Sequence, residues 1–168
     1  MNIHVRAEAP ADAAAIDALT VAAFLDVPHT SHTEQYIIKA LRSANALTIS
    51  LVAEMSGEIV GHVAISPVTV SDGALGWFGL GPVSVLPAHQ GRGIGSGLVR
   101  EALRRLEEQG GAGCVVLGEP AYYSRFGFRQ EPGLLLPEVP QEYFQALPFG
   151  RSVPCGAVSY HEAFAAQE

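Results

Sequence analysis

The residues best suited to chemistry lie in the run Gln90-Gly91-Arg92-Gly93-Ile94-Gly95-Ser96, placed between a β-branched stretch and a stretch of helical periodicity. A glycine-rich turn from strand to helix leaves backbone N–H groups unpaired at the positive end of the helix dipole, where phosphates bind. Glycines alone equally describe a tight turn that binds nothing, so the neighbouring letters must decide. No Gly-Lys-Ser or Gly-Lys-Thr occurs, which removes the P-loop. A dinucleotide fingerprint needs a third glycine at its sixth position, but counting from Gly91, Gly93 or Gly95 reaches Ser96, Leu98 or Arg100. A nucleophile elbow on Ser96 fails as well, because Ile94 and Leu98 stand where glycines are required. His29 and His32 have metal-compatible spacing without a matching second pair of ligands, so no metal is expected.

The elements that must hold this loop can be read from periodicity. Ile3 to Ala7 form a short strand, and a helix follows from Pro10 with Ile16, Leu19 and Ala23 on one face. Ser31 and Glu34 have capping-box spacing before a second helix with Ile37, Ile38 and Leu41 as its buried stripe. Leu47 to Met55, Ile59 to Val70 and Leu75 to Leu86, separated by Ser56-Gly57 and Asp72-Gly73, form an antiparallel meander. Its last strand runs into the glycine loop. Ile94, Leu98, Ala102, Leu103 and Leu106 then mark a long helix stopped by Gly110-Gly111. A buried strand at Cys114 to Leu117, a short helix around Ala121 to Phe126 and strand-like pieces near Phe128 and Val158 complete the chain. The proline-rich stretch from Pro132 to Pro148 reads as a surface excursion on the substrate side.

The loop resembles the acetyl-CoA signature of GNAT acyltransferases, with Gln90, Gly93 and Gly95 at its three marked positions. Gly81-Pro82-Val83-Ser84-Val85-Leu86-Pro87 is similar to the strand that leads into that site, and Tyr123-Ser124-Arg125-Phe126-Gly127-Phe128 has the family's ending, a Tyr four residues before Gly-Phe. Gly118-Glu119-Pro120-Ala121-Tyr122-Tyr123 and Gly156-Ala157-Val158-Ser159-Tyr160 look more narrowly like the bacterial YhbS-like branch. The family's frequent Asn after the fifth strand is replaced by Gly118-Glu119-Pro120, so no role of that Asn carries over.

The resemblance implies a mixed α/β fold, a mostly antiparallel sheet flanked by helices, with CoA entering where the fourth and fifth strands separate. It implies one acetyltransferase domain over residues 1–168, which moves the acetyl group of acetyl-CoA directly onto a primary amine of a small molecule or peptide. Its cofactor-binding positions are Val83, Ser84, Val85, Gln90, Gly91, Arg92, Gly93, Ile94, Gly95 and Ser96. Tyr123 takes the place of the general acid that meets the departing thiolate; the alternative is a ring that only packs. Tyr122 is the rival phenol, pointing about 100° away on a helix, for packing or substrate contact. Glu34 and Glu119 are candidate bases, set against a capping-box carboxylate and a solvated loop carboxylate. His89 belongs to the surface or to CoA, Arg92 to the phosphates or to solvent, and Ser96 to the phosphate or to the first turn. The alternative to catalysis is an acyl-CoA-binding regulatory module that lost turnover.

Composition agrees with a small-molecule partner. With 48% hydrophobic and 16% charged residues the chain has enough apolar surface to fold without staples. Ten Lys and Arg against seventeen Asp and Glu give a formal charge of −7, which opposes nucleic acid and anionic lipid and suits a cationic amine. The start lacks a basic segment and is broken by Glu8, Asp12 and Asp17, so no secretory signal is expected, and no run reaches a membrane span. With Cys114 in an apolar run, no disulfide is expected either, and the expected compartment is the cytoplasm. An uncovered strand near the C-terminus would allow a homodimer.

Overall fold

The computed structural model describes every residue except Met1 and His29, so the His29–His32 spacing lies outside the described residues. Strand β1 (His4–Ala7) and a 3-10 turn (Pro10–Asp12) lead into helix α1 (Ala13–Phe24), followed by α2 (Glu34–Ser43). The meander is β2 (Ile49–Met55), β3 (Glu58–Val70) and β4 (Trp77–Val85). Between β2 and β3, Ser56 and Gly57 both have positive φ, +52° and +80°. This is the two-residue turn whose twist matches the strands it joins. Helix α3 (Ile94–Glu108) and strand β5 (Gly113–Leu117) come next, then α4 (Pro120–Tyr123) with a 3-10 extension (Ser124–Phe126). The chain closes with β6 (Leu134–Leu135), β7 (Phe144–Pro148), β8 (Gly156–Tyr160) and a 3-10 turn (Glu162–Ala165).

The sheet runs β1-β2-β3-β4-β5-β7 and is antiparallel except for the β4–β5 pair. Its two faces follow from the alternation of side chains along a strand. Leu51, Ala53, Val63 and Ile65 meet Leu98, Ala102 and Leu106 of α3, whereas Val52, on the other face, meets Ile16 of α1 and Ile38 of α2. α3 lies close to β3 because Gly61 has no side chain: a Cβ there would come within 2.9 Å of Leu98 Cδ1.

Three expectations need correction. The stretch from Pro132 to Pro148 is not a surface excursion, because β7 pairs with all five residues of β5, from Gly113↔Pro148 to Leu117↔Phe144, and buries Phe144, Gln145 and Ala146. The prolines that signal a loop only bracket this strand; none interrupts it before its last residue. The strand near the C-terminus is not uncovered, since β8 lies between β3 and β6. Ser31 and Glu34 form no capping box. Thr33 is the N-cap and Glu34 the first helical residue, one position where the box needs the third, and its carboxylate accepts from the Thr30 hydroxyl at 2.7 and 2.9 Å.

Candidate functional site

The site is built on a fork in the sheet. β4 and β5 pair only over Trp77–Gly79 and Gly113–Val115, after which β4 runs on to Val85 and β5 to Leu117 without each other. β4 is bent at this point by a bulge: the register passes from Ile65↔Leu80 to Val63↔Val83, one residue more on β4 than on β3. Gly81 sits in the bulge at φ +127°, a value only glycine adopts without strain.

Beyond the fork, β4 delivers the chain to the glycine loop. Gly93, at φ +83°, is the N-cap of α3, and Gly91 has φ +77°. The first-turn N–H groups of Ile94, Gly95 and Ser96 have no helical acceptor, as the geometry of any α-helix dictates. They border a cavity of about 320 Å³ that is also lined by Val85, Gln90, Gly91 and Gly93. Gln90 serves the loop itself, its side-chain amide donating to the Val85 carbonyl at 3.0 Å. Ile94 turns its side chain into the core and offers the cavity its backbone. Arg92 is exposed on the loop. Val83 and Val85 pack on the α3 side, but Ser84 points to the opposite face, where its hydroxyl is buried and unpartnered.

Two residues of this cavity, Tyr122 and Arg125, were not singled out by sequence for the cofactor's phosphates, and a third, His89, was left between CoA and the surface. Tyr122 brings its hydroxyl to 3.2 Å from Ser96 Oγ, so this phenol belongs to the loop. Arg125 lays its guanidinium 4.4 Å from the centre of the Tyr122 ring and donates to the Tyr122 carbonyl at 2.9 Å, which fixes a cation in the cavity wall. His89 also lines the cavity, with a buried and unpartnered Nδ1. The only sequence signal for Arg125 was its place inside the Tyr-Ser-Arg-Phe-Gly-Phe run; its direction depends on the tight turn into the 3-10 extension. An anion fits this donor set: helix N–H groups, a hydroxyl and a guanidinium, with no carboxylate among the lining residues.

Tyr123 faces elsewhere. Its ring lies against Gly118, just past the end of β5, where a Cβ would be 2.4 Å from Tyr123 Cε2. Phe128 and Tyr122 meet it edge-on at 6.0 and 5.0 Å. Burial, with Tyr122 adding to it, pushes the phenol up to about 12, so it carries its proton at neutral pH. Gly118 is itself held by β7 and the residue before it: its N–H donates to the Tyr143 carbonyl at 2.9 Å and its carbonyl accepts from the buried Gln145 amide at 3.2 Å. Glu119 is exposed, and its backbone carbonyl caps α4 by accepting from the N–H groups of Tyr122 and Tyr123. Glu34 stands at the start of α2, engaged by Thr30. The structure thus joins the loop and α4 into one site and leaves Glu34 outside its cavity. Among the described residues no group of three or more His, Cys, Asp or Glu converges as a metal site, and no helix is long and apolar enough to cross a membrane.

Comparison with known proteins agrees with this geometry. The model of the Acetyltransferase (GNAT) family matches residues 14–128. The chain is 42% identical over 125 residues to the uncharacterized N-acetyltransferase YhbS of Escherichia coli K12, covering 74% of this chain and 72% of that one. Among solved structures, a GNAT family acetyltransferase of Brucella melitensis in complex with acetyl-CoA is 50% identical, with a TM-score of 0.87 over 97% of this chain and 98% of that one. Escherichia coli YhbS in complex with CoA is 37% identical, with a TM-score of 0.88 over 98% of this chain and 93% of that one.

Proposed function

The chain belongs to the GNAT acetyltransferase family, and from that premise we propose that it transfers the acetyl group of acetyl-CoA directly to a primary amine of a small molecule or peptide. The observation that carries the reading is the join between an anion-binding loop and an open fork, with a protonated phenol beside it. The similar proteins of Brucella melitensis and Escherichia coli were crystallised with acetyl-CoA and CoA, which supports the same ligand here. The formal charge of −7 favours a cationic acceptor, and the two unpaired cysteines, Cys114 and Cys155, suit a cytoplasmic enzyme.

Acetyl-CoA supplies an acyl carbon already activated as a thioester. The chain's own residues do the rest. The N–H groups of Ile94, Gly95 and Ser96, with Arg125 and Arg92, hold the pyrophosphate; Tyr122 and Ser96 contribute hydroxyls beside them. The backbone of Val83 to Val85, which has no β5 partner, offers its inner edge to the pantetheine amides. Tyr123 keeps a proton on Oη for the departing thiolate. An alkylammonium has a pKa near ~10.4 and must lose a proton before it attacks. Of the two candidate bases, Glu34 is engaged by Thr30, whereas Glu119 adjoins the helix bearing Tyr123 and keeps its carboxylate exposed, so we assign deprotonation to Glu119. Placing both reactants in one fork supplies much of the rate.

Calorimetric titration with acetyl-CoA and with CoA tests the premise, and saturable one-to-one binding is expected. Folded protein that binds neither would reduce the loop to a turn. Thiol release with a panel of amines, peptide amines included, then separates an enzyme from a regulatory module, which would bind acetyl-CoA and turn over none of them.

A further inference from the structure

On the sheet face opposite α3, the fork carries a group that neither the loop nor Tyr123 accounts for. β8 runs antiparallel to the end of β3 with Tyr160 opposite Val68, and this lays the Tyr160 ring across Gly79. Gly79 is the last β4 residue paired with β5. Its neighbours Phe78 and Leu80 face α3, so a side chain at Gly79 would face away from that helix. A Cβ built there would lie 2.4 Å from Tyr160 Cε1, the ring carbon next to the one that bears the hydroxyl. The same ring packs in the cluster that contains Val115, the β5 partner of Gly79. One phenol therefore spans both strands at the point where they part, while Tyr123 packs with the α3-side cluster.

Phe164 braces the ring from behind, with centroids 5.0 Å apart. The Tyr160 hydroxyl has no hydrogen-bond partner among the described residues. Burial raises its pKa far above the ordinary phenol value, and Cys114 and Tyr123 raise it further. Cε1 comes closer to the Cβ position of Gly79 than Cδ1 does, 2.4 against 2.9 Å, so the hydroxyl end of the ring is the end that lies at the fork. A phenylalanine would pack equally well against Gly79 and Phe164, so packing alone gives the hydroxyl no task.

We propose that Tyr160 Oη donates a hydrogen bond to the carbonyl oxygen of the acyl thioester held in the fork, so that two phenols divide the reaction, Tyr160 on the carbonyl oxygen and Tyr123 on the sulfur. This rests on the reading that the fork takes acetyl-CoA. Tyr160 keeps its proton throughout. As the C–N bond forms and the C–S bond breaks, the proton of Tyr123 passes to sulfur, and the nitrogen, made neutral beforehand by Glu119, gives the proton it now holds in surplus back to the Tyr123 oxygen. The hydrogen bond from Tyr160 strengthens while negative charge collects on the oxygen. A donor already held in place by packing is effective because it needs no reorganisation at that moment.

The test is infrared difference spectroscopy of acetyl-CoA labelled with carbon-13 at the thioester carbonyl, bound to the full-length chain. The carbonyl band is expected at lower frequency in the wild type than in Tyr160→Phe, with acetyl-CoA bound about three- to tenfold more weakly by the variant and CoA bound equally well. Equal CoA binding shows that the variant is folded. Gly79→Ala, whose new methyl displaces the ring, should release the band in the same way. The inference is overturned if the band is identical in wild type and Tyr160→Phe, or if Tyr123→Phe moves it instead. A wild type that fails to bind acetyl-CoA overturns the underlying reading and this inference with it, an outcome distinct from a bound thioester whose band does not respond.

Discussion

Tyr123 and Gly118 act as one unit, because the ring occupies the space that any side chain at Gly118 would need. Tyr123→Phe keeps the ring and removes the proton, so turnover should fall by about a hundredfold or more while CoA binding measured by calorimetry stays the same. Gly118→Ala should lower turnover too, since its methyl would press 2.4 Å from Tyr123 Cε2. The loop answers differently. Gly93→Ala forces a residue with a Cβ into φ +83°, a strain of about 1–2 kcal/mol, and turns the α3 N–H groups away from the cavity; CoA affinity should drop at least about tenfold. At this scale the sequence singled out the loop glycines by their place between strand and helix and Tyr123 by its resemblance to the family's pattern, but put Tyr122 with substrate or packing. That phenol reaches Ser96 only because α4 turns toward the first turn of α3, a direction that no local pattern encodes. Tyr160 was visible only as part of a C-terminal resemblance, since its contact with Gly79 joins residues far apart in the chain.

Among the elements, β4 and β7 make the site possible. The bulge at Gly81 bends β4 away from β5, and β7, with the residue before it, secures β5 from the other side through Tyr143 and Gln145 at Gly118. Phe144 is 2% exposed, so Phe144→Ala should cost about 3–5 kcal/mol and lower Tm by roughly 6–20 °C, measured by calorimetry or circular dichroism. A change below about 0.5 kcal/mol, as at ordinary surface positions, would contradict the placement of β7 in the core. The meander, α3 and its glycine stop were legible because alternation and helical spacing are local. β7 was hidden by the prolines around it: turn residues report where a chain bends, not whether the short strand between two bends finds a partner.

Across the whole molecule, a chain of ionic and polar groups ties the helical layer to the sheet. Arg42 of α2 donates to Glu8 at 2.9 and 3.0 Å, Glu8 also accepts from Ser50 of β2, and Ser50 lies 2.8 Å from Nε2 of the fully buried His62 of β3. Because Ser50 spends its single proton on Glu8, the neutral ring places its own proton on Nε2. Burial lowers His62 to about 4, opposed by Glu8 and aided by Arg42. The unfolded chain then binds a proton near pH 6.5 that the folded one refuses until about 4, so stability rises with pH across that window. It is full above the unfolded value and is lost as pH falls. Glu8, lowered through Arg42 and Ser50 against the cost of burial, and Asp12, lowered to about 2 by Arg6, extend the loss to stronger acid. Denaturant midpoints measured from pH 7 to pH 4 should decline for the wild type and flatten for His62→Gln. By itself the sequence determined the family, through the resemblance of short motifs, and the order of most elements with the glycine turn before α3, because these rest on residues close together in the chain. Only the tertiary structure decided that Arg125 and Tyr122 line the same cavity as that loop, that β7 backs the fork, and that the Tyr160 ring lies across Gly79. Those placements come from packing and strand pairing between residues distant in the chain, and they exist only once the sheet has closed.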